Sequence, residues 1–462
     1  MVGSNNTRFD LSILFSYIVL IAVGLFMIYS TTFNDSAVSM WSLSSAFGVQ
    51  AAWAVLSLVV VLILSNIDWH FWDTISAGLY GLGILLLIIV LIFGDEIKGA
   101  KSWLIIGPFS LQPGEFVKVS TALAVSSLLS SVYIQLDNYK SQLYLLLVFL
   151  APAILIIVQP DPGSALTFFS LIIVCYRFGM PVPYYLALIA TFFTAILSLS
   201  MGFYVATCAI LLLAVILSGN FTSKNYINIL LLTVVILLNI LLYQYDYMPY
   251  AFIATSIYFL VHFILLIDSK VFRDRLIVLG SVAILASVAF FSTYAFDNVL
   301  LPHQQDRINV WLNPEKSDPR GSYYNLAHSK LAIGSGGLSG KGYLKGTMTK
   351  LNYVPEQTTD FIFSSIGEEQ GFLGGGAVII AFIFLILKII KVGELSQINF
   401  CRAFCYCVAG FLFIHFFVNI GMTMGISPVI GIPLPFISKG GSSLMAFSIM
   451  IGIVLNISKQ RR

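Results

Sequence analysis

Residues 11–30 read LSILFSYIVLIAVGLFMIYS, a run without a charged side chain. At ~1.5 Å per helical residue, such a run crosses the ~30 Å hydrocarbon core of a bilayer. Similar runs recur to the end of the chain, among them ISAGLYGLGILLLIIVLIF (75–93) and NILLLTVVILLNILLY (228–243). In lipid, segments of this kind satisfy their backbone polar groups as helices. The fold class that follows is an all-α polytopic membrane protein. Composition agrees, because only 10% of residues are charged against about 25% in a soluble domain. The first run is too long for the apolar part of a secretory signal and lacks a clear small-x-small cleavage site. It reads as a retained helix.

Counting runs gives fourteen spans, near 11–30, 47–66, 75–94, 116–133, 143–159, 163–178, 183–199, 204–218, 227–243, 249–267, 275–295, 370–391, 403–425 and 440–457. Lys and Arg in short loops mark the cytoplasmic side. By that rule DSKVFRDR (268–275), the group Lys388, Lys391 and Arg402, and the terminal KQRR face the cytoplasm, with both termini inside. Three loops then face outward, at 94–115, 302–359 and 425–439. The net charge of +3 gives no hint of nucleic acid. Cys175, Cys208, Cys401, Cys405 and Cys407 all lie in or beside apolar runs. They read as packing, not as a disulfide framework or a thiol site.

The outward loops hold the least ordinary sequence. SLQPGEFVKVS (110–120) opens a span with Glu115 and Lys118 at i, i+3, on one helix face where they can pair. Charges at that depth are costly and mark a site or a water-filled cavity, the plainer alternative being a structural ion pair that locks two helices. Just upstream, Lys101 and Trp103 sit among turn residues in an interfacial segment. VQPDPGSA (158–165) puts Asp161 in a tight turn where it can cap the next helix. SSIGEEQGFLGGG (364–376) carries Glu368 and Glu369 before an apolar run. GIPLPFISKGGSS (431–443) ends in Ser442 and Ser443, free to cap the last span. WLNPEKSDPRGSYYN (311–325) crowds Glu315, Lys316, Asp318 and Arg320 together. The glycines of IGSGGLSGKGYLKGT (333–347), with Lys341, Lys345 and Lys350, would suit an anion cradle of freed backbone amides. A solvated cap is the plainer reading there. His70, His262, His303, His328 and His415 are scattered without metal-ligand spacing, which argues against a catalytic zinc.

At these motifs the chain resembles the SEDS family of bacterial cell-wall polymerases, whose members serve elongation, division and sporulation. NIGMTMGISPVIGIPLPFISKGGSS (419–443) is similar to the family's C-terminal signature PLPFxSYGGSS, with Lys439 where Tyr is usual. QPGEFVK resembles QPSEFxK with Gly114 for Ser, and QPDPGSA resembles QPDLGTA with two changes. TDFIFSSIGEEQGFLG matches TDFIFxxxGEExGxxG, with Thr358 replacing the usual preceding His. DPRGSYYN resembles DPxGxGYQ, with Tyr323 for Gly and Asn325 for Gln. The resemblance covers 11–200 and 296–457 in family order. It implies a core of ten transmembrane helices and a large extracytoplasmic loop, leaving about four helices inserted near 201–275. An even insertion keeps the 302–359 loop outside. LAIGSGGLSGKGYLKGT (331–347) is closer to the rod-shape elongation members than to the division members.

What the resemblance implies is a peptidoglycan glycosyltransferase that joins disaccharide units of lipid II on the outer face of the cytoplasmic membrane, releasing undecaprenyl pyrophosphate. Such a reaction needs a base for the acceptor 4-hydroxyl, cationic or N–H groups for the pyrophosphate, and an apolar groove for the prenyl tail. An α-linked donor and a β-1,4 product point to inversion in one displacement, with one carboxylate base. The family's catalytic aspartate falls on Asp318, while Asp306 and Glu315 are acids expected to tolerate change. By motif position Lys118, Lys101 and Arg320 would offset pyrophosphate charge, and Glu115 would orient Lys118. Trp103, Asp161, Glu356, Asp360, Glu369, Ser442 and Ser443 would shape the substrate cavity. No cofactor is called for; a divalent cation at the pyrophosphate fits the chemistry, but no ligand set is visible. The partners implied are lipid II, the nascent glycan strand, membrane lipids and a class B penicillin-binding protein transpeptidase. Three other readings stay open: a division-type polymerase, a lipid II flippase with its charges near the midplane, and a scaffold indifferent to Asp318.

Overall fold

The structure, a computed structural model, describes residues 9–33, 45–97, 99–106, 109–131, 134, 136–218, 226–265, 272–317 and 321–459. In chain order its elements begin with α1 (Leu11–Thr32), α2 (Ala46–Leu64) and α3 (Trp69–Phe93). A small antiparallel sheet follows, ordered β1 (Asp95–Ile97), β2 (Ala100–Ile106), β3 (Phe109–Leu111). Then come α4 (Pro113–Ser130), α5 (Tyr139–Val158), α6 (Pro162–Phe168), α7 (Ser170–Arg177), α8 (Val182–Met201) and α9 (Phe203–Ser218). Next are α10 (Tyr226–Gln244), α11 (Met248–Leu265), α12 (Phe272–Asn298) and α13 (Pro302–Leu312). The chain closes with α14 (Ser322–Ser335), α15 (Thr347–Lys350), α16 (Ile362–Leu395), α17 (Asn399–Met424) and α18 (Gly441–Lys459).

Among the described residues nine helices are long and apolar enough to cross a membrane: α1, α2, α3, α5, α8, α12, α16, α17 and α18. Shorter apolar helices run over Pro162–Arg177, Phe203–Leu217, Ile229–Gln244 and Met248–Ile264. With α4 these fill all fourteen expected segments. The chain is a multi-pass, all-α membrane protein. Polar residues mark the helix starts, as capping requires. Asp10 accepts from Ser12 N (3.1 Å), Ser45 from Gly48 N (2.9 Å) and Asn138 from Lys140 N (3.1 Å). The loops are less irregular than expected: 94–115 contains the small sheet, and 302–359 contains α13, α14 and α15. Helix α16 starts at Ile362 rather than near 370, because its polar first turns are satisfied inside the protein.

The chain divides into two compact units, one of Met1–Met180 with Ser317–Arg462, the other of Pro181–Lys316. In the first unit α17 and α18 are the inner helices. Some 89% of the apolar stretch of α18 and 67% of that of α17 is buried, against 22% for α3. Helix α4 packs against α3, α17 and α18, so its polar side chains enter the interior rather than lipid. The second unit is wider than the 201–275 stretch, because α8 and α12 pack with α9 around Ile210, Val215 and Val282.

One joint in the first unit explains a dense glycine run. Helix α16 is interrupted at Gly371 (φ 65°, ψ −163°), and residues 337–342 lie against the break. Lys341 N and Gly342 N donate to the carbonyls of Glu368 and Glu369 (3.0 Å each), while Phe372 N and Leu373 N donate to those of Gly337 and Leu338. Gly340 has φ +77°, and a Cβ there would meet Glu369 O at 2.1 Å. Gly340→Ala is therefore expected to destabilise the unit by on the order of 2 kcal/mol, read as a lower unfolding midpoint in detergent. Gly81→Ala, on an exposed position of α3 with nothing within 4 Å, should be neutral or slightly stabilising. Equal losses at both positions would discount the packing account.

Candidate active site

The first two turns of α4 carry Glu115 and Lys118, which are 2% and 0% exposed. Lys118 Nζ donates to Glu115 Oε1 at 2.7 Å, as the i, i+3 spacing predicts, and lies 2.8 Å from His415 Nε2 on α17. His415 Nδ1 is 3.0 Å from the carbonyl of Pro433, and its ring meets Phe447 edge-on. Glu115 Oε2 is buried without a hydrogen-bond partner.

Three helix starts converge beside this pair. Helix α4 begins at Pro113, whose missing N–H costs nothing in a first turn. Gln112, just before it, makes no local cap. Its Nε2 donates instead to Asp161 Oδ2 (2.9 Å) and its N to Ser442 Oγ (3.0 Å). Asp161 caps α6 through Ser164 N (3.1 Å), as its turn suggested. Ser442 sits in the first turn of α18 and donates to Ser110 O (3.2 Å). Helix N-termini carry partial positive charge, so this corner favours an anion.

The 425–440 segment closes over the same corner. Asn419 donates from Nδ2 to Asp360 O (2.8 Å) and Ile432 O (2.7 Å). Ser438 Oγ donates to Thr359 O (2.6 Å) and accepts from Leu434 N (2.8 Å). Lys439 N donates to Thr358 O (2.9 Å), and Gly440 N to Gln50 Oε1 (3.1 Å). A Cβ on Gly431 would lie 3.2 Å from Asp360 Oδ2, so that carboxylate lies against the segment's backbone. Glu356 accepts from Thr359 Oγ1 at 3.0 Å.

Lys341 and Thr347 of the glycine-rich stretch 333–347, with the amides of Met348 and Thr349 just beyond it, hold one of the protein's own carboxylates. Glu368, fully buried, accepts from Met348 N and Thr349 N (2.9 Å each), Thr349 Oγ1 (2.7 Å) and Lys341 Nζ (2.7 Å). A free anion would have to displace it. Neighbouring Glu369 accepts from Ser30 Oγ at 2.6 Å. Tyr343 Oη donates to Phe26 O at 3.1 Å, and burial together with the Glu369 charge pushes its hydroxyl above its ordinary pKa. Below this point an apolar groove of about 440 Å³ runs between α1 and α16, lined by Val23, Phe26, Met27, Tyr343 and Ala377.

The structure thus brings Glu115, Lys118, Asp161, Asp360, Ser442 and Ser443 to one end of the bundle, with Glu356 at the edge and Glu369 two turns into α16. Lys101 and Trp103 lie in the adjoining sheet, Trp103 opposite Asp95, and the Lys101 ammonium donates to Ile92 O (2.8 Å) near the end of α3. Asp318 and Arg320 fall outside the described residues. Sequence reasoning missed His415, Asn419, Gln112 and Gln50. A polar side chain inside an apolar span was the signal for His415 and Asn419. Among the described residues no group of three or more His, Cys, Asp or Glu side chains is arranged to hold a metal ion.

The family model for FtsW, RodA and SpoVE, described as a cell cycle protein, matches residues 11–208 and 204–462. The peptidoglycan glycosyltransferase RodA of Treponema pallidum (strain Nichols) is 30% identical over 457 residues, covering 98% of each chain. The peptidoglycan glycosyltransferase MrdB of Escherichia coli (strain K12) is 29% identical over 407 residues, covering 88% of this chain and 84% of that one. Among solved structures, a chain of a peptidoglycan synthase complex has a TM-score of 0.64 at 21% identity, over 98% of both chains. That last likeness is one of fold.

Proposed function

The chain belongs to the FtsW/RodA/SpoVE family of cell cycle proteins, and on that footing we propose that it is a peptidoglycan glycosyltransferase of the elongation type, polymerising lipid II into β-1,4 glycan strands. Relatives named for that activity align along most or all of its length. The observation on the molecule that carries the reading is Lys118, fully buried between Glu115 and His415 where three helix N-termini converge. A cation beside helix N-termini favours an anion, and the leaving group of this reaction is a pyrophosphate.

In one displacement the acceptor 4-oxygen attacks the donor anomeric carbon as the carbon–oxygen bond to pyrophosphate breaks. The 4-hydroxyl proton passes to a carboxylate, and the electron pair departs on undecaprenyl pyrophosphate. Asp318 is the carboxylate we assign as base. Lys118, oriented by Glu115, offsets the charge that grows on the leaving group, with Lys101 and Arg320 as further cations. Trp103, Asp161, Glu356, Asp360, Glu369, Ser442 and Ser443 shape the surrounding cavity. Basic short loops argue that both termini are cytoplasmic and that this end faces outward across the cytoplasmic membrane. A class B penicillin-binding protein, which would cross-link the strands, is the partner we assign. The similar chain from a peptidoglycan synthase complex supports that choice.

A flippase would distribute its charges along a path through the midplane. Glu115 and Lys118 instead lie in the first two turns of α4, which favours the polymerase. The deciding experiment supplies lipid II in detergent to the protein purified with its transpeptidase partner. Glycan strands are the expected product. If a control polymerase makes strands under the same conditions and this complex makes none, the flippase reading takes over.

A further inference from the structure

A lysine ammonium has three N–H donors. At Lys118, Glu115 Oε1 takes one at 2.7 Å and His415 Nε2 lies 2.8 Å away to take a second. Among the described residues no further hydrogen-bond acceptor meets the ammonium, whose remaining neighbour is the Phe447 ring at 6.0 Å from its centroid. The orientation of His415 follows from its other nitrogen. Nδ1 is 3.0 Å from Pro433 O, and a carbonyl only accepts, so Nδ1 carries the hydrogen and Nε2 offers its lone pair to the ammonium. The ring has little freedom to turn away. It is fully buried, and Phe447 meets it edge-on at 5.0 Å between centroids.

One turn further along α17, Asn419 holds Ile432 O at 2.7 Å and Asp360 O at 2.8 Å. Positions 415 and 419 lie on one face of the helix. Together they fasten two consecutive carbonyls, Ile432 and Pro433, of the segment that closes the corner. Lys118 is thereby fixed by a contact on its own helix and by one from α17 whose ring is braced by that segment.

We propose that His415 is the positioning residue for Lys118, occupying one ammonium hydrogen so that, with Glu115 on a second, the third is left for a phosphate oxygen of the lipid-linked substrate. This rests on the polymerase reading for its substrate, but its geometry can be tested apart from turnover. A core residue of similar shape without the hydrogen bonds would fill the space yet leave the ammonium free to swing. Hydrogen bonds to charged groups are the stronger ones, and the loss should show in substrate use.

The test compares His415→Leu, His415→Gln, Lys118→Met and the double variant His415→Leu/Lys118→Met, each in complex with the transpeptidase partner and each checked for a monodisperse profile. Two readouts are taken: kcat/KM with lipid II, and binding of farnesyl pyrophosphate as an anionic prenyl probe. His415→Leu is expected to lose about ten- to a hundredfold in both. His415→Gln should recover part of it, since its amide can accept from Lys118 and donate to Pro433 O. In the Lys118→Met background, His415→Leu should add nothing to either loss. Losses that simply add, or no recovery with Gln, would show that His415 is a packing residue and overturn the inference even if polymer is made. Probe binding that follows the expected pattern without any polymer would sustain the inference and sink the polymerase reading. Absence of both polymer and probe binding in the unsubstituted protein would sink both.

Discussion

Asp318→Asn is expected to reduce glycan polymerisation by at least about a hundredfold, the lower end of what a positioned general base contributes. A single displacement that inverts the anomeric centre leaves the acceptor oxygen positively charged unless its proton departs as the bond forms, and one carboxylate does that work. Asparagine keeps the size of the side chain and removes the basic oxygen. Folding and partner binding should therefore persist, and lipid II should still bind. The controls are acids of the same stretch, Asp306→Asn and Glu315→Gln. Glu315 is exposed in the short turn after α13, so its charge has solvent and no assigned substrate. Both controls should polymerise within about threefold of the unsubstituted protein, the difference expected of surface changes within ~0.5 kcal/mol. Strands from Asp318→Asn at the unsubstituted rate would remove Asp318 from the mechanism and revive the scaffold reading. Strands lost equally in Glu315→Gln would mean that charge in this stretch matters in bulk, not one base.

How far the sequence could be read depended on the range of the interactions involved. The spans were legible because a helix in lipid is a local object: twenty apolar residues decide it without reference to the rest of the chain. The Glu115–Lys118 pair was legible for the same reason, since i, i+3 neighbours meet on any helix. Asp161 as a cap was likewise local. His415 was not, because it lies 297 positions from the lysine it meets and nothing in its own neighbourhood announces that contact. Gln112 was hidden in another way. It occupies an N-cap position, yet its side chain goes to the start of α6 and its backbone N–H to the start of α18. The glycine run at 333–347 misled because its glycines serve close packing against the break in α16 at Gly371, while the carboxylate gathered nearby is the protein's own Glu368, held by the amides of Met348 and Thr349 beyond the run. The start of α16 was misplaced for a related reason: two glutamates argue against a span until their partners are known.

Lys118→Met is the substitution expected to cost the fold most. It leaves the Glu115 carboxylate 2% exposed without its cation, with Oε2 already lacking a partner. Removing one member of a buried ion pair costs about 3–5 kcal/mol, so the unfolding midpoint in detergent should fall sharply. Replacing both members, Glu115→Leu with Lys118→Met, takes the orphaned charge away. What remains is the His415 Nε2 without its donor, about 1–3 kcal/mol, so the double variant should be the more stable of the two. Activity should not follow stability. Both variants lack the ammonium proposed to meet the pyrophosphate, and both should fail to polymerise lipid II to a similar extent. That divergence separates the site reading from the plainer one, a structural ion pair that merely locks helices. A structural pair predicts that the double variant regains turnover along with stability. A double variant as unstable as Lys118→Met would instead show that the buried charge is not what the single substitution exposes.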